Sequence, residues 1–279
     1  MIYAPVYRDT YYTTTASTLD YRIEYEGQVV FAGRAVAMPS QNQIRININK
    51  VAQEYLGQSI SFPMSSSQTH DEAAGTFVLK DSNGNTLESY RFIHCYDYDF
   101  SWAGQTGVTL SNPICDTYVS GCKVPTTKVS STTGVVTTFS NPIHTAGCVK
   151  YVLYYVNARG GWDAFAIQGT AKKKDSITQY TMDKAFNNTT REFENMRYIS
   201  EIKTSYELNT HYLSDEESEN LAKNLIGSNM VYLQSMLDGK VKPVVITDTT
   251  ATYQTYQTNG KKLCQYKINV VESQSKIRR

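Results

Sequence analysis

The feature that most restricts the fold is a period of two. Tyr21, Ile23 and Tyr25 alternate with Arg22, Glu24 and Glu26. Ile44, Ile46 and Ile48 alternate in the same way with Arg45, Asn47 and Asn49. Alternation of this kind puts each set on its own face of a strand, whereas a helix would scatter both. Turn residues separate the runs. Glu26-Gly27-Gln28 returns the first strand into Val29-Val30-Phe31, and Pro39 breaks the run. Asp81-Ser82-Asn83-Gly84-Asn85 joins residues 76–80 to a strand in which Leu87, Ser89, Arg91 and Ile93 alternate with Glu88, Tyr90, Phe92 and His94. Its Asn-Gly pair is expected to form a type I′ turn with two residues at positive φ. Residues 150–156 turn through Asn157-Ala158-Arg159-Gly160-Gly161 into Trp162-Asp163-Ala164-Phe165-Ala166-Ile167. Gly160 and Gly161 read as a positive-φ turn and Trp162 as a core anchor. Near the C-terminal end, residues 230–233 and 243–247 read as strands, and a hairpin over 253–271 turns at Asn259-Gly260.

Two segments follow a helical period instead. Val51, Ala52, Tyr55 and Leu56 make one apolar stripe, with Asn49 placed to cap the helix and Gly57 to end it. Residues 215–227 carry a capping box, Ser214 at the N-cap with Glu217 at N3, and the acids Asp215, Glu216 and Glu217 complement the helix dipole. Leu221, Ala222, Leu225 and Ile226 form the buried stripe there, and Gly227 stops it. The fold expected is mainly β: two antiparallel β-sandwich-like domains, the second with one capped α-helix packed on its sheet. The expected division is a β-sandwich-like domain over 1–100, a Thr/Ser/Gly-rich connector or insertion over 101–148, and a β domain with the helix over 149–279.

Composition narrows function. Twenty-two Tyr stand against 2 Trp and 9 Phe, and Tyr suits both half-buried strands and protein interfaces. Lys and Arg total 27 against 26 Asp and Glu, so the chain lacks the basic excess of a dedicated nucleic-acid binder. No apolar run approaches the roughly 18–20 residues that span a bilayer. The first residues have neither the basic nor the apolar region of a secretory signal, and the 5 Cys are an odd number. Free thiols in a reducing cytosol are the expectation.

Each chemical constellation has an ordinary structural explanation. Of the four histidines, His70, His94, His144 and His211, none lies in a nucleophile motif. Cys95 is adjacent to His94, and neighbours on a strand point to opposite faces. Cys115, Cys122, His144 and Cys148 supply zinc-type ligands, but the spacing between the first two exceeds that of ordinary zinc motifs. Asp97 and Asp99 share a strand face, as a glycosidase or polysaccharide depolymerase requires, but alternate with Tyr96, Tyr98 and Phe100 as an outer polar face does. No phosphate-binding glycine motif is present. Lys172, Lys173 and Lys174 read as a solvated loop. No cofactor, metal or catalytic group is expected, and the chain reads as non-enzymatic.

The block Tyr154-Tyr155-Val156-Asn157-Ala158-Arg159-Gly160-Gly161-Trp162-Asp163-Ala164-Phe165, followed by Tyr206-Glu207-Leu208-Asn209-Thr210, resembles structural proteins of phages and prophages of Bacteroidales, the crAss-like phages among them. The pattern continues through the Ser-capped acidic helix, Val231-Tyr232-Leu233, Pro243-Val244-Val245-Ile246-Thr247-Asp248, Asn259-Gly260-Lys261-Lys262-Leu263 and Val270-Val271-Glu272-Ser273. His211-Tyr212 stands where that pattern has Gly-Trp. The resemblance covers most of the chain and implies a virion protein of the phage tail: a ring, adaptor, hub or baseplate component. Such a protein is made in the host cytoplasm, assembles with itself, in six or twelve copies, and docks other tail proteins. A head-to-tail ring needs two different surfaces per subunit. Two candidates are the Tyr-rich N-terminal arm (Tyr3, Tyr7, Tyr11, Tyr12) and the loop expected over 172–186 (Lys172, Lys173, Lys174, Tyr180). The alternative is a carbohydrate-binding β-sandwich adhesin or receptor-binding module, which would line a groove with exposed Tyr or Trp.

Overall fold

The structure, a computed structural model, describes residues 1–39, 41–57, 59–62, 67–95, 108–110, 124–130, 134–140, 149–183, 189, 195–213, 218–219, 221–248 and 265–278. It is mainly β, with several largely antiparallel sheets and a single α-helix of seven residues among those described. The chain divides into two compact units, neither contiguous in sequence. One comprises Met1–Asn112, Lys123–Asn141 and Val156–Asp163; the other comprises Pro113–Cys122, Pro142–Tyr155 and Ala164–Arg279. The boundaries expected at 100 and 148 do not coincide with this division.

The first unit opens with β1 (Ile2–Pro5), β2 (Tyr11–Thr14), β3 (Thr18–Tyr25), β4 (Gln28–Val36) and β5 (Ile44–Asn47). Helix α1 (Asn49–Tyr55), β6 (Ser67–His70), β7 (Ala74–Asp81) and β8 (Thr86–Ile93) follow. A five-stranded sheet runs in the order β1-β8-β7-β3-β4, and β2 pairs with β5. The period-two runs decide what is buried. Ile23, Phe77, Leu79, Tyr90 and Phe92 point to one side of the sheet and meet Ile44, Ile46 and Ile48 of β5 with Val51, Ala52 and Leu56 of the helix segment. Phe77 is central: it stacks on Tyr25 at 4.7 Å and meets Phe92 edge-on at 5.8 Å. Each such fully buried aromatic or aliphatic side chain contributes roughly 1.5–3 kcal/mol.

Local details depart from expectation. Asn49 is not the cap of α1. Ile48 occupies that position in helical geometry, and the Asn47 side-chain oxygen accepts from the Asn49 backbone N–H instead. Tyr55 points to solvent, so the apolar stripe is Val51, Ala52 and Leu56. The β7–β8 loop is not a type I′ turn. Only Gly84 has positive φ, at 88°, and the Asp81 carboxylate accepts the N–H groups of Asn83 and Asn85, so the four residues between the strands are held by the last side chain of β7. A two-residue turn does join β3 to β4, with Glu26 at φ 50° and Gly27 at φ 80°.

The segment 101–148 is more than a connector. It contains β9 (Val108–Leu110), β10 (Val124–Ser130) and β11 (Gly134–Ser140), which form a four-stranded antiparallel sheet with β6 in the order β6-β11-β10-β9. Val129 and Val135 are buried there against Ala73, Ile93 and Cys95. Ile93 therefore belongs to a second small core, on the opposite face of β8 from Phe92.

The second unit is built on an eight-stranded sheet. Its strands are β12 (Tyr151–Val156), β13 (Trp162–Ile167), β14 (Ala171–Asp183), β15 (Asn195–Asn209), β16 (Val231–Ser235), β17 (Val241–Ile246), β18 (Lys267–Glu272) and β19 (Lys276–Arg278). The order is β13-β12-β16-β17-β18-β15-β14, with β19 pairing on β15. Leu153, Tyr155, Phe165, Leu208, Leu233, Ile268 and Val270 form its core, with Leu221 and Leu225 laid on it. Those two leucines come from the expected helical segment, which contains a π-helical turn, Ala222–Ile226. Ile226 is only partly buried. Gly227 ends the turn in right-handed geometry, and a Cβ there would meet the Lys223 carbonyl oxygen at 2.9 Å. The capping box at 214–217 and the hairpin turn at Asn259-Gly260 lie outside the described residues.

The N-terminal arm is part of its own unit. β1 pairs with β8, in parallel rather than the expected antiparallel sense, and Ala4 and Val6 are 0% and 2% exposed in the core. Deleting residues 1–15 removes both β1 and β2 and the core side chains of Ala4 and Val6. The product is expected to lose its cooperative unfolding transition or to melt at least about 10 °C lower, as read by circular dichroism.

Candidate assembly interface

Residues 171–183 form a strand, not the loop expected over 172–186. β14 pairs with β15 in antiparallel register from Ala171↔Leu208 to Asp183↔Asn195, with a bulge between Tyr180 and Thr181. Thirteen residues of strand span about 40 Å. β14 is the last strand of the sheet order, so its outer edge has no partner strand among the described residues. Every residue from 172 to 182 is exposed.

The two ends of this hairpin differ. At the base β15 is covered on its far side by β18, along 205–209, and by β19, along 200–202. Beyond Ser200, towards Asn195, β15 pairs only with β14 among the described residues. Two-stranded ribbons are marginal by themselves in water. This one also carries apolar side chains into solvent: Tyr180 is 43% exposed, Met182 48% and Tyr198 45%, and Ile177, 55% exposed, precedes it on the stretch that β19 still flanks. Tyr180 and Met182 share a face with Ile199, and Ile177 lies on the other face opposite Ile202. Ile177, Met182 and Tyr198 were not singled out from sequence. The signal was present, since Ile177-Thr178-Gln179-Tyr180-Thr181 and Tyr198-Ile199-Ser200-Glu201-Ile202 are both rich in strand formers.

At the base the lysines alternate between faces. Lys172 lies opposite Glu207, which also takes Lys267 at 2.9 Å. The hydrogen bond from Lys267 is the main reason the Glu207 carboxyl titrates below its usual range. Lys173 lies opposite Tyr206, on the side of the sheet that carries the core. The Tyr206 hydroxyl donates to Glu272, which Lys242 also reaches. Burial opposes ionisation of Glu272, but these donors outweigh it and hold the carboxyl below its usual range. Burial, followed by Glu272, raises the Tyr206 phenol.

The four arm tyrosines have local roles. Tyr12 packs on the first unit's core. The Tyr11 hydroxyl donates to Asp9, and the Arg45 guanidinium stacks over its ring at 4.6 Å. Tyr7 is half-buried, with Arg8 5.9 Å from its ring centre, and Tyr3 is 36% exposed on β1. The arm tyrosines are thus spread over two sheets of the first unit, whereas Lys172, Lys173, Lys174 and Tyr180 share one strand of the second.

Buried polar groups elsewhere serve the fold. His70 and Thr137 share a buried hydrogen bond of 2.8 Å between β6 and β11. Burial lowers the pKa of both His70 and His94. His94 and Cys95 lie in a turn after β8, where Cys95 has φ 65° and donates its N–H to the Arg159 carbonyl at 2.7 Å. Asp97, Asp99, Cys115, Cys122, His144 and Cys148 lie outside the described residues. Among the described residues no group of three or more His, Cys, Asp or Glu is arranged to hold a metal.

The turn between β12 and β13 is the most tightly determined local feature. The Asn157 side-chain oxygen accepts the N–H groups of Arg159 and Gly161, and its amide donates to Asp163 at 3.0 Å. Gly160 has φ 83°, and a Cβ there would lie 2.3 Å from His94 Nδ1. Gly161 has no positive φ, contrary to expectation. Trp162 is fully buried.

Two outcomes follow from this turn. Gly160→Ala is expected to cost about 2–3 kcal/mol in denaturant unfolding, and adding His94→Ala is expected to recover the part due to the clash. Burial pushes the Asp163 carboxyl up to about 7, while the Asn157 amide pulls the other way. Its unfolded value is about 3.9, so the unfolded chain releases this proton first as pH rises. Stability is full below pH ~4 and falls as pH rises to ~7. Asp163→Asn is expected to flatten that part of the pH–stability curve, by a few kcal/mol.

No protein-family model and no curated protein matches this sequence, so the edge of β14, unpaired among the described residues, and the exposed apolar end of the β14–β15 pair carry the functional reading.

Proposed function

We propose that this protein is a non-enzymatic structural component of a phage tail virion, which assembles with itself into a ring and docks neighbouring tail proteins. The carrying observation is the β14–β15 hairpin. It is an extended strand pair whose β14 edge has no partner strand among the described residues, and it exposes Ile177, Tyr180, Met182 and Tyr198 instead of burying them. Exposed apolar side chains on a marginal two-stranded ribbon are stabilised when another protein covers them. Edge strands are also templates for strand addition, the mode in which an extended segment joins a neighbour's sheet. The tail assignment itself comes from the sequence resemblance over Tyr154–Phe165 and the segments after it. The arm is a weaker interface candidate than the hairpin, because Ala4, Val6 and Tyr12 are used by its own core.

Light scattering with negative-stain imaging of the purified protein tests this reading. Closed rings are expected at high protein concentration. Tyr180→Glu with Met182→Glu is expected to give a folded protein that stays monomeric under the same conditions. Glycan binding by a monomer that never assembles would overturn the proposal in favour of a carbohydrate-binding adhesin.

A further inference from the structure

The base of β14 differs from its tip in chemistry. Lys173 and Lys174 have no carboxylate within ion-pair distance among the described residues, and Lys172 shares Glu207 with Lys267. The acid nearest in the strand, Asp175, accepts the Thr204 hydroxyl at 2.7 Å. Further lysines lie around this edge. On the core side of the sheet, Lys173 lines a small pocket with Tyr151, Tyr206, Lys240 and Lys242. Lys242 is paired with Glu272 and Lys240 with Asp238, so Lys173 brings the charge that is left over. On the other face, Lys172 and Lys174 border a groove floored by Ser205, Glu207, Thr247 and Asn269, where the one carboxylate, Glu207, is outnumbered by Lys172, Lys174 and Lys267. Both faces of the same short stretch of open edge therefore carry positive charge, each beside a recess.

Edge lysines ordinarily discourage strand addition. Three in succession discourage one kind of partner in particular. A second β14 laid against this stretch would bring its own lysines close to these, and like charges directly opposite are destabilising. An acidic strand meets the reverse condition. Its backbone takes the free N–H and C=O groups of β14, and its side chains alternate between faces with the same period as the lysines. Acids at successive positions then meet Lys173 on one face and Lys172 or Lys174 on the other.

We infer that the edge of β14 at Lys172–Lys174 is a docking site for an extended acidic segment of another protein, which joins the sheet as an added strand. This rests on the reading of the chain as an assembly component and names the chemistry of its partner. The self-association surface is then the apolar tip, around Tyr180 and Met182, and the partner surface is the basic base. Charge selects the partner and the backbone ladder fixes its register.

The probe is a fluorescein-labelled, acetylated and amidated peptide, Thr-Val-Asp-Glu-Asp-Val-Thr, titrated against the full chain in anisotropy. Saturable binding is expected, weakening as salt is raised. Lys173→Glu and Lys174→Glu are each expected to weaken it by about tenfold; Lys173→Gln and Lys174→Gln, gentler changes at exposed positions, are expected to weaken it less and in the same order. Two peptides, methylated on the odd or on the even backbone nitrogens, keep the charge; one of them loses every donor that faces β14 and is expected not to bind. Equal binding of both methylated peptides, equal binding to the Glu variants, or no binding of the parent peptide would each overturn the inference. The two readings separate cleanly. Tyr180→Glu with Met182→Glu is expected to abolish rings and retain the peptide, and Lys173→Glu is expected to retain rings and weaken peptide binding by about tenfold. Rings without peptide binding would sink this inference alone, while peptide binding without rings would sink self-assembly alone.

Discussion

Strand β15 is the constraint on which the second unit depends. One continuous run of fifteen residues is asked to do two jobs. Along 205–209 it is an interior strand, with β14 on one side and β18 on the other, and it places Tyr206 and Leu208 in the core. Towards 195 it leaves the sheet with only β14 beside it among the described residues. Because a strand is stiff along its length, the buried half fixes where the exposed half goes. The Tyr206 hydroxyl and Lys242 converge on the Glu272 carboxylate, which ties β15, β17 and β18 together within the buried half. That anchorage lets an otherwise marginal ribbon persist with Tyr180 and Met182 in water.

The first unit solves a different problem with the same materials. Its five-stranded sheet buries one face on β5 and α1, and β8 uses both of its faces, Phe92 towards one core and Ile93 towards another. Two of the hairpins are closed by one device, a side-chain oxygen at the start of the loop gathering two backbone N–H groups, with a glycine at positive φ. Asp81 and Gly84 supply it between β7 and β8, and Asn157 and Gly160 between β12 and β13. In the second case the glycine also admits the His94 ring, so the backbone and a packing contact demand the same residue.

Much of the strand content was legible because alternation is a local property. Tyr21–Tyr25, Ile44–Ile48 and the run from Leu87 to Ile93 each announce their faces within a few residues. The candidate interface was half legible. Lys172, Lys173, Lys174 and Tyr180 are conspicuous in sequence, but a run of exposed polar residues has no buried face to give it a period, so a strand there looks like a loop. The segment over 101–148 was obscure for a related reason. Its strands β10 and β11 are Thr- and Ser-rich, and their partner β6 lies far upstream.

The sequence by itself determined that this chain is mainly β, where several hairpins turn, and which apolar residues face inward, because all three follow from side-chain period and turn chemistry over short stretches. Only the tertiary structure decided that β1 runs parallel to β8, that residues 101–148 supply strands to the first unit, and that Lys172–Asp183 form a sheet edge with no outer partner strand among the described residues. Pairing partners and free edges depend on which strands meet in space, and backbone hydrogen bonding between distant segments leaves no period in the residues that make it.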